Sequence, residues 1–152
     1  SPSNLSCNIK NMSPLDNVRI LEFPKVCDPR GNLSFIEEAI HVPFAIKRVF
    51  YIYDVPGGAS RGGHAHRRNR QVLICLNGSM DLHLTDGHTE KVITLNRAHN
   101  GVLIPPGVWD SMHNFSSGTV LLVVCSEYYD EDDYIRDYPR FLEYVEQNYF
   151  SS

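Results

Sequence analysis

Between Arg61 and Gly78 the chain passes from a glycine pair through two histidines one residue apart, enters the apolar run Gln71–Leu76, and stops at Asn77-Gly78. Side chains two apart on an extended strand share a face, so His64 and His66 project together and Ala65 points the other way. The apolar run reads as a strand buried on both faces, and Asn-Gly is a strong hairpin signal. A strand buried on both faces must lie inside a layered β structure. Two imidazoles then stand on a rigid element beside an arginine, which is the outline of a site.

The flanking sequence supplies the other strands. Val18–Phe23 and Leu33–Glu37 alternate around the turn Asp28-Pro29-Arg30-Gly31-Asn32. Pro43–Tyr53 is long, β-branched and aromatic, and so predicts one continuous strand. It would carry Arg48, Phe50 and Ile52 on one face and Val49, Tyr51 and Tyr53 on the other. Met80–Leu84, Lys91–Leu95, Gly101–Ile104, Trp109–Phe115 and Thr119–Ser126 follow, punctuated by Asp86-Gly87 and Pro105-Pro106-Gly107. Short strands at this spacing predict an all-β sandwich or barrel. Only the end looks helical: an acidic start at Asp130–Asp133, a short helix over Tyr134–Tyr138, and a second from Pro139 to about Tyr149. Residues 1–16, rich in Ser, Asn and Pro, read as a linker or flexible arm ahead of a domain over 17–150.

Composition narrows the function. A chain of 152 residues suits one domain with a real core. A net charge of -4 argues against nucleic acid as a partner, although a small anion needs only a few local cations. No apolar run is long enough to span a bilayer as a helix. The four cysteines lack paired zinc spacing, and Cys75 and Cys125 lie in apolar runs as small hydrophobes, which suits a reducing, cytoplasmic setting.

A barrel lined by His-x-His resembles the cupin pattern, which implies a jelly-roll β-barrel, here with short C-terminal helices. Laid on this chain, the pattern puts Gln71 where a metal cupin has an acid and Gly78 at the close of its first motif. Its second motif falls on Pro105–Trp109, with Asp110 where a third histidine belongs. Two imidazoles and a carboxylate can hold iron, whereas an amide is a poor ligand. Histidines that merely fill the barrel are the plainest alternative.

Longer runs sharpen the resemblance. Asp28–Leu33, Pro43–Val49, Arg61–His66, Gln71–Gly78 and Tyr128–Arg136 together resemble the WxcM-like sugar 3,4-ketoisomerases, in order, from about residue 20 to 145. The resemblance implies a metal-free isomerase without a cofactor, acting on dTDP-4-keto-6-deoxyglucose. It would move the carbonyl from C4 to C3 ahead of transamination, toward 3-amino sugars of bacterial surface polysaccharides such as lipopolysaccharide O-antigen. It also implies a cytoplasmic homodimer, domain-swapped in form, with fusion to an acyltransferase known in the family.

In that frame His66 is the expected base, with His64 as proton donor or orienting partner. An imidazole near its ordinary pKa of about 6.5 suits proton transfer beside a carbonyl. Tyr51 is expected to face the cavity and relay a proton or position the hexose. Arg61 is the candidate for holding the enediolate or the pyrophosphate, and Arg48 for reaching the phosphates. Gln71 and Asp110 would line the substrate site. The family's usual His-Glu pair after the tryptophan is Asp110-Ser111 here, and His113 would partly replace the missing imidazole. Asp130–Asp133 reads as a solvated helix start. Beside the isomerase stand a non-catalytic nucleotide-sugar-binding cupin and a metal-dependent cupin oxygenase.

Overall fold

The computed structural model describes residues 13–151. It contains β1 (Arg19–Glu22), β2 (Lys25–Asp28), β3 (Gly31–Ser34), β4 (Arg48–Ile52), β5 (Arg61–His66), β6 (Gln71–Asn77), β7 (Met80–Thr85), β8 (Glu90–Leu95), β9 (Asn100–Ile104), β10 (Trp109–His113), β11 (Val120–Cys125) and β12 (Tyr134–Ile135). One helix, α1 (Tyr138–Val145), follows and continues as a wider π turn over Glu146–Phe150.

Ten strands form two antiparallel five-stranded sheets, in the orders β1-β9-β6-β11-β4 and β12-β5-β10-β7-β8, while β2 and β3 make a separate hairpin. The sheets enclose a lumen packed with Leu73, Leu82, Leu84, Met112, Leu121 and Val123, all nearly inaccessible to solvent. Each such side chain contributes about 1.5–3 kcal/mol relative to an exposed one. The outer face of the first sheet is partly covered by Phe23, Val42 and Phe44, which pack on Val72, Ile74 and Val124. This is the all-β architecture that the strand spacing predicts, in the cupin-like form that the resemblance implies.

Three local expectations change. The run from Pro43 keeps strand form only over β4, because Val42 and Phe44 bury against the sheet's outer face as a loop. Tyr134 and Ile135 are not helical: they pair with His66 and Ala65, and Ile135 buries beside Phe141. Here pairing outweighs local helical tendency, since both residues suit a half-buried strand. Helix α1 starts instead where Asp137 caps the Arg140 amide, with Pro139 in its first turn. Phe141 and Val145, one turn apart, then seat it against Ala65.

The predicted linker lies mostly outside the described residues. Its last residues form a tight turn, Pro14–Asn17, with Leu15 buried in the lumen cluster. No described helix is long and apolar enough to cross a membrane.

Candidate active site

Strand register gathers polar side chains at one end of the lumen. Arg48 on β4 pairs with Cys125 on β11, and Cys125 pairs with Gln71 on β6, so the three form one layer across the first sheet. From the facing sheet, the Asp110 carboxylate accepts a 3.0 Å hydrogen bond from Gln71 Nε2. His64 on β5 is the register partner of Asp110. Ala65 faces outward under α1, which sends His64 and His66 to the other face.

The backbone before His64 makes this register possible. Gly62 and Gly63 both take left-handed φ angles, +82° and +84°, where the β5–β10 pairing carries a bulge. A Cβ on Gly62 would lie 3.1 Å from the Asp110 carbonyl oxygen and from its Oδ1. The glycine pair therefore lets β5 close against β10 while turning the histidines.

The imidazoles stand 5.1 Å apart, centre to centre, and nearly perpendicular. The Tyr134 ring packs on both, at 5.1 Å from His64 and 4.4 Å from His66, and Arg136 lies 4.3 Å above that ring. Arg48 donates to the Tyr134 hydroxyl at 3.4 Å and to Cys125 Sγ at 3.6 Å. Its Nε is buried with no partner. His66 Nδ1 lies 2.8 Å from Asp133 Oδ2, both side chains being 4% exposed.

These surroundings set the protonation states. Burial, with the neighbouring His66, Arg136 and Arg48, pushes His64 down to about 4. Burial also lowers His66, and the hydrogen bond and charge of Asp133 offset that only in part. For Asp133, burial acts upward, but the His66 hydrogen bond and the Arg68 and Asn69 amides outweigh it and hold the carboxyl below the usual range. Burial pushes Asp110 up to about 7 against its bond to Gln71, and its Oδ1 has no partner. Both imidazoles are thus neutral at neutral pH and available as bases. Among the described residues, no three His, Cys, Asp or Glu side chains converge as a metal site.

The structure brings together His64, His66, Arg48, Gln71 and Asp110. Three expected members lie elsewhere. Tyr51 is 62% exposed on the outer face of the first sheet, stacked on Tyr53, because Phe50 and Ile52 on either side of it take the inward phase of β4. Arg61 is exposed at the start of β5. His113 points out of the second sheet, against His83 at 4.4 Å, with Ser60 and Ser111 on its nitrogens. It cannot stand in for a lumen imidazole. Three arginines that follow the histidines are engaged within the fold: Arg67 donates to the Asp132 and Tyr134 carbonyls, Arg68 pairs with Asp130, and Arg70 donates to the Pro43 carbonyl.

Asp133, Tyr134 and Cys125 touch these side chains, a placement that spacing alone does not reveal. The acidic run does open a short helical turn with Asp130, Glu131 and Asp132 exposed, as expected, but Asp133 is buried against His66. Its only signal in the sequence is membership of the Tyr128–Arg136 run.

A two-sheet barrel with a histidine pair at one polar end is the architecture of a cupin. The family model described as "FdtA: WxcM-like, C-terminal" matches residues 16–146, and the chain belongs to that family. It is 48% identical over 127 residues, 84% of this chain and 91% of the other, to a TDP-4-oxo-6-deoxy-alpha-D-glucose-3,4-oxoisomerase from Aneurinibacillus thermoaerophilus. Among solved structures it is similar to a histidine-to-asparagine variant of the 3,4-ketoisomerase QdtA from Thermoanaerobacterium thermosaccharolyticum in complex with TDP-4-keto-6-deoxyglucose. There the TM-score is 0.87 at 44% identity, over 89% of this chain and 98% of that one. The TDP-quinovose 3,4-ketoisomerase WlaRB from Campylobacter jejuni gives 0.80 at 45% identity, over 84% and 98%.

Proposed function

We propose that this protein is a sugar-nucleotide 3,4-ketoisomerase that moves the carbonyl of a dTDP-4-keto-6-deoxyhexose from C4 to C3 through an enediolate. The observation that carries this is the arrangement of two neutral imidazoles and the half-buried, carboxylate-free Arg48 at one end of the lumen. Family membership and the activities of the relatives supply the substrate class.

The chemistry follows from those groups. His66 takes the proton from C3 as general base. The charge that develops on the sugar oxygens meets Arg48, whose Nε has no partner in the protein while its other nitrogens hold the Tyr134 hydroxyl and Cys125 Sγ. Arg48 takes this role in place of Arg61, which stays outside the lumen. Tyr134, in contact with both rings, is the phenol of the site in place of Tyr51. Gln71 and Asp110 shape the wall, and no metal or cofactor takes part.

The working unit is a homodimer of domain-swapped form. Its support is the free-standing β2–β3 hairpin with exposed Val26 and Leu33, next to a sheet face exposing Val49, Tyr51 and Leu76. The free thiols of Cys27, Cys75 and Cys125 suit the cytoplasm. There the product would be the 3-keto sugar for transamination, on the way to an O-antigen type polysaccharide.

Chelator-treated protein is incubated with dTDP-4-keto-6-deoxyglucose in deuterated water, and the product is read by NMR. Deuterium incorporation next to the carbonyl and a 3-keto product are expected. Folded protein giving neither, across several 4-keto-6-deoxy sugar nucleotides, overturns the assignment.

A further inference from the structure

We propose that His83 and His113, on the outer face of the second sheet, form an open two-imidazole site for a divalent late transition ion, taking Cu²⁺ more tightly than Zn²⁺. The site lies across the sheet from the lumen and does not depend on the isomerase function.

Strand register builds it. β7 and β10 pair with Ser111 opposite His83 and Asp81 opposite His113. Leu82, Leu84 and Met112 fill the lumen from these two strands. The alternate residues Asp81, His83, Ser111 and His113 therefore share the outer face. His83 and His113 are diagonal neighbours there, within reach of each other's rings. Their ring centres lie 4.4 Å apart, with the planes at 60°. An imidazole nitrogen binds such an ion at about 2.0–2.1 Å, which puts each ring centre roughly 3.2 Å from it. Two rings at a right angle on one ion then stand roughly 4.5 Å apart, close to the spacing of this pair.

One ring is already oriented. Ser60 Oγ lies 2.9 Å from His113 Nδ1, and Ser111 Oγ lies 2.8 Å from its Nε2. With Nδ1–H donating to Ser60, Nε2 presents its lone pair on the Ser111 side, and Ser111 stands opposite His83. A hydrogen bond on the far nitrogen is the usual support of a metal-bound histidine. The Ser111 hydroxyl can rotate its proton away, so an ion displaces only one neutral hydrogen bond.

Charge favours a cation at this pair and opposes one in the lumen. The Asp81 carboxylate lies near both outer rings, and its oxygens accept from Thr94 at 2.7 Å and Asn114 at 2.8 Å. Among the described residues no third His, Cys, Asp or Glu converges with the pair, so Asp81 acts as a nearby anion and water completes the coordination. His83 is exposed and His113 half-buried, beside a cavity of about 240 Å³ that Glu90, Lys91 and Trp109 also line. In the lumen, Arg48 and Arg136 lie close to His64 and His66, and the Tyr134 ring packs on both. Those fixed positive charges repel a second cation. Imidazole and water donors suit Cu²⁺, Ni²⁺ and Zn²⁺, and Cu²⁺ stands first in the order of affinity.

The test titrates the chelator-stripped whole chain, its accessible thiols capped with iodoacetamide, with Cu²⁺ in a non-coordinating buffer. Calorimetry gives the affinity, and NMR follows the histidine ring protons. One Cu²⁺ per chain is expected, with the His83 and His113 signals broadening before those of any other histidine. Broadening that begins at His64, His66 or another ring overturns the proposal. His83→Gln and His113→Gln are each expected to weaken Cu²⁺ by about tenfold or more, and unchanged affinity in either overturns it. Should a variant fail to fold, the order of broadening in the wild type decides. Zn²⁺ should compete only in excess, and Zn²⁺ binding tighter than Cu²⁺ overturns the donor assignment.

Discussion

Along β6, Leu73 and Cys75 face one end of the lumen and Gln71 the other; along β4 it is Phe50 and Ile52 against Arg48, and along β10 Met112 against Asp110. The same strands, in the same two-residue phase, build a dry apolar end and a polar end. At the apolar end each side chain needs only to fit its neighbours. At the polar end each group needs a particular partner, and Arg48 Nε and Asp110 Oδ1 are left without one. Close packing is concentrated in one end and the candidate site in the other.

That division can be broken experimentally. His66→Asn should lower turnover on the order of 10²–10⁴-fold while circular dichroism stays native, measured as exchange of the C3 proton. A variant that keeps its rate removes the polar end from catalysis. Leu82→Ala, at the apolar end, should cost about 2–5 kcal/mol in urea unfolding. The folded fraction should keep its activity within a few-fold, and a selective loss of kcat would show that the ends are not separable.

Asp110 sharpens the contrast through pH. Burial holds its carboxyl protonated up to about 7, whereas an unfolded Asp titrates near 3.9. Between those values the folded state binds the extra proton, so this group's contribution to stability falls as pH rises from about 4 to 7. Asp110→Asn should flatten that fall and gain on the order of 1–3 kcal/mol at pH 8, seen as a higher urea midpoint. The same midpoint shift for both proteins across the range would mean that the carboxyl is not dry. The smallest effect belongs to Tyr51→Phe, on the outer face, where kcat should stay within about twofold. A larger loss would place the Tyr51 phenol at a site, which its own subunit does not do.

Period-two alternation and turn residues made most strands legible: Asn77-Gly78 joins β6 to β7, and Asp86-Gly87 precedes β8. Alternation also separated Arg48 from Tyr51. It could not say which face turns inward, because both carry aromatic and apolar residues. Only packing decides that, with Phe50 and Ile52 joining the lumen cluster. The histidine pair was visible because both partners lie on one strand. Asp133 was not, since 67 residues separate it from His66 and an acidic run looks alike whether solvated or buried. The fold of the Tyr134–Ile135 segment likewise comes from pairing with β5, which local propensity does not encode.

The histidines point inward because two consecutive residues adopt a mirror-image backbone. At Gly63 there is room for a methyl group, the nearest atom being Trp109 Cζ2 at 4.0 Å, so an ordinary alanine would fit in volume and yet strain the chain by about 1–2 kcal/mol. A D-alanine placed there by chemical synthesis would suit the same angles and remove glycine's looseness in the unfolded chain. The aim of both imidazoles is therefore set by chirality before any side chain makes contact, at a spot that nineteen of the twenty genetically encoded residues serve poorly.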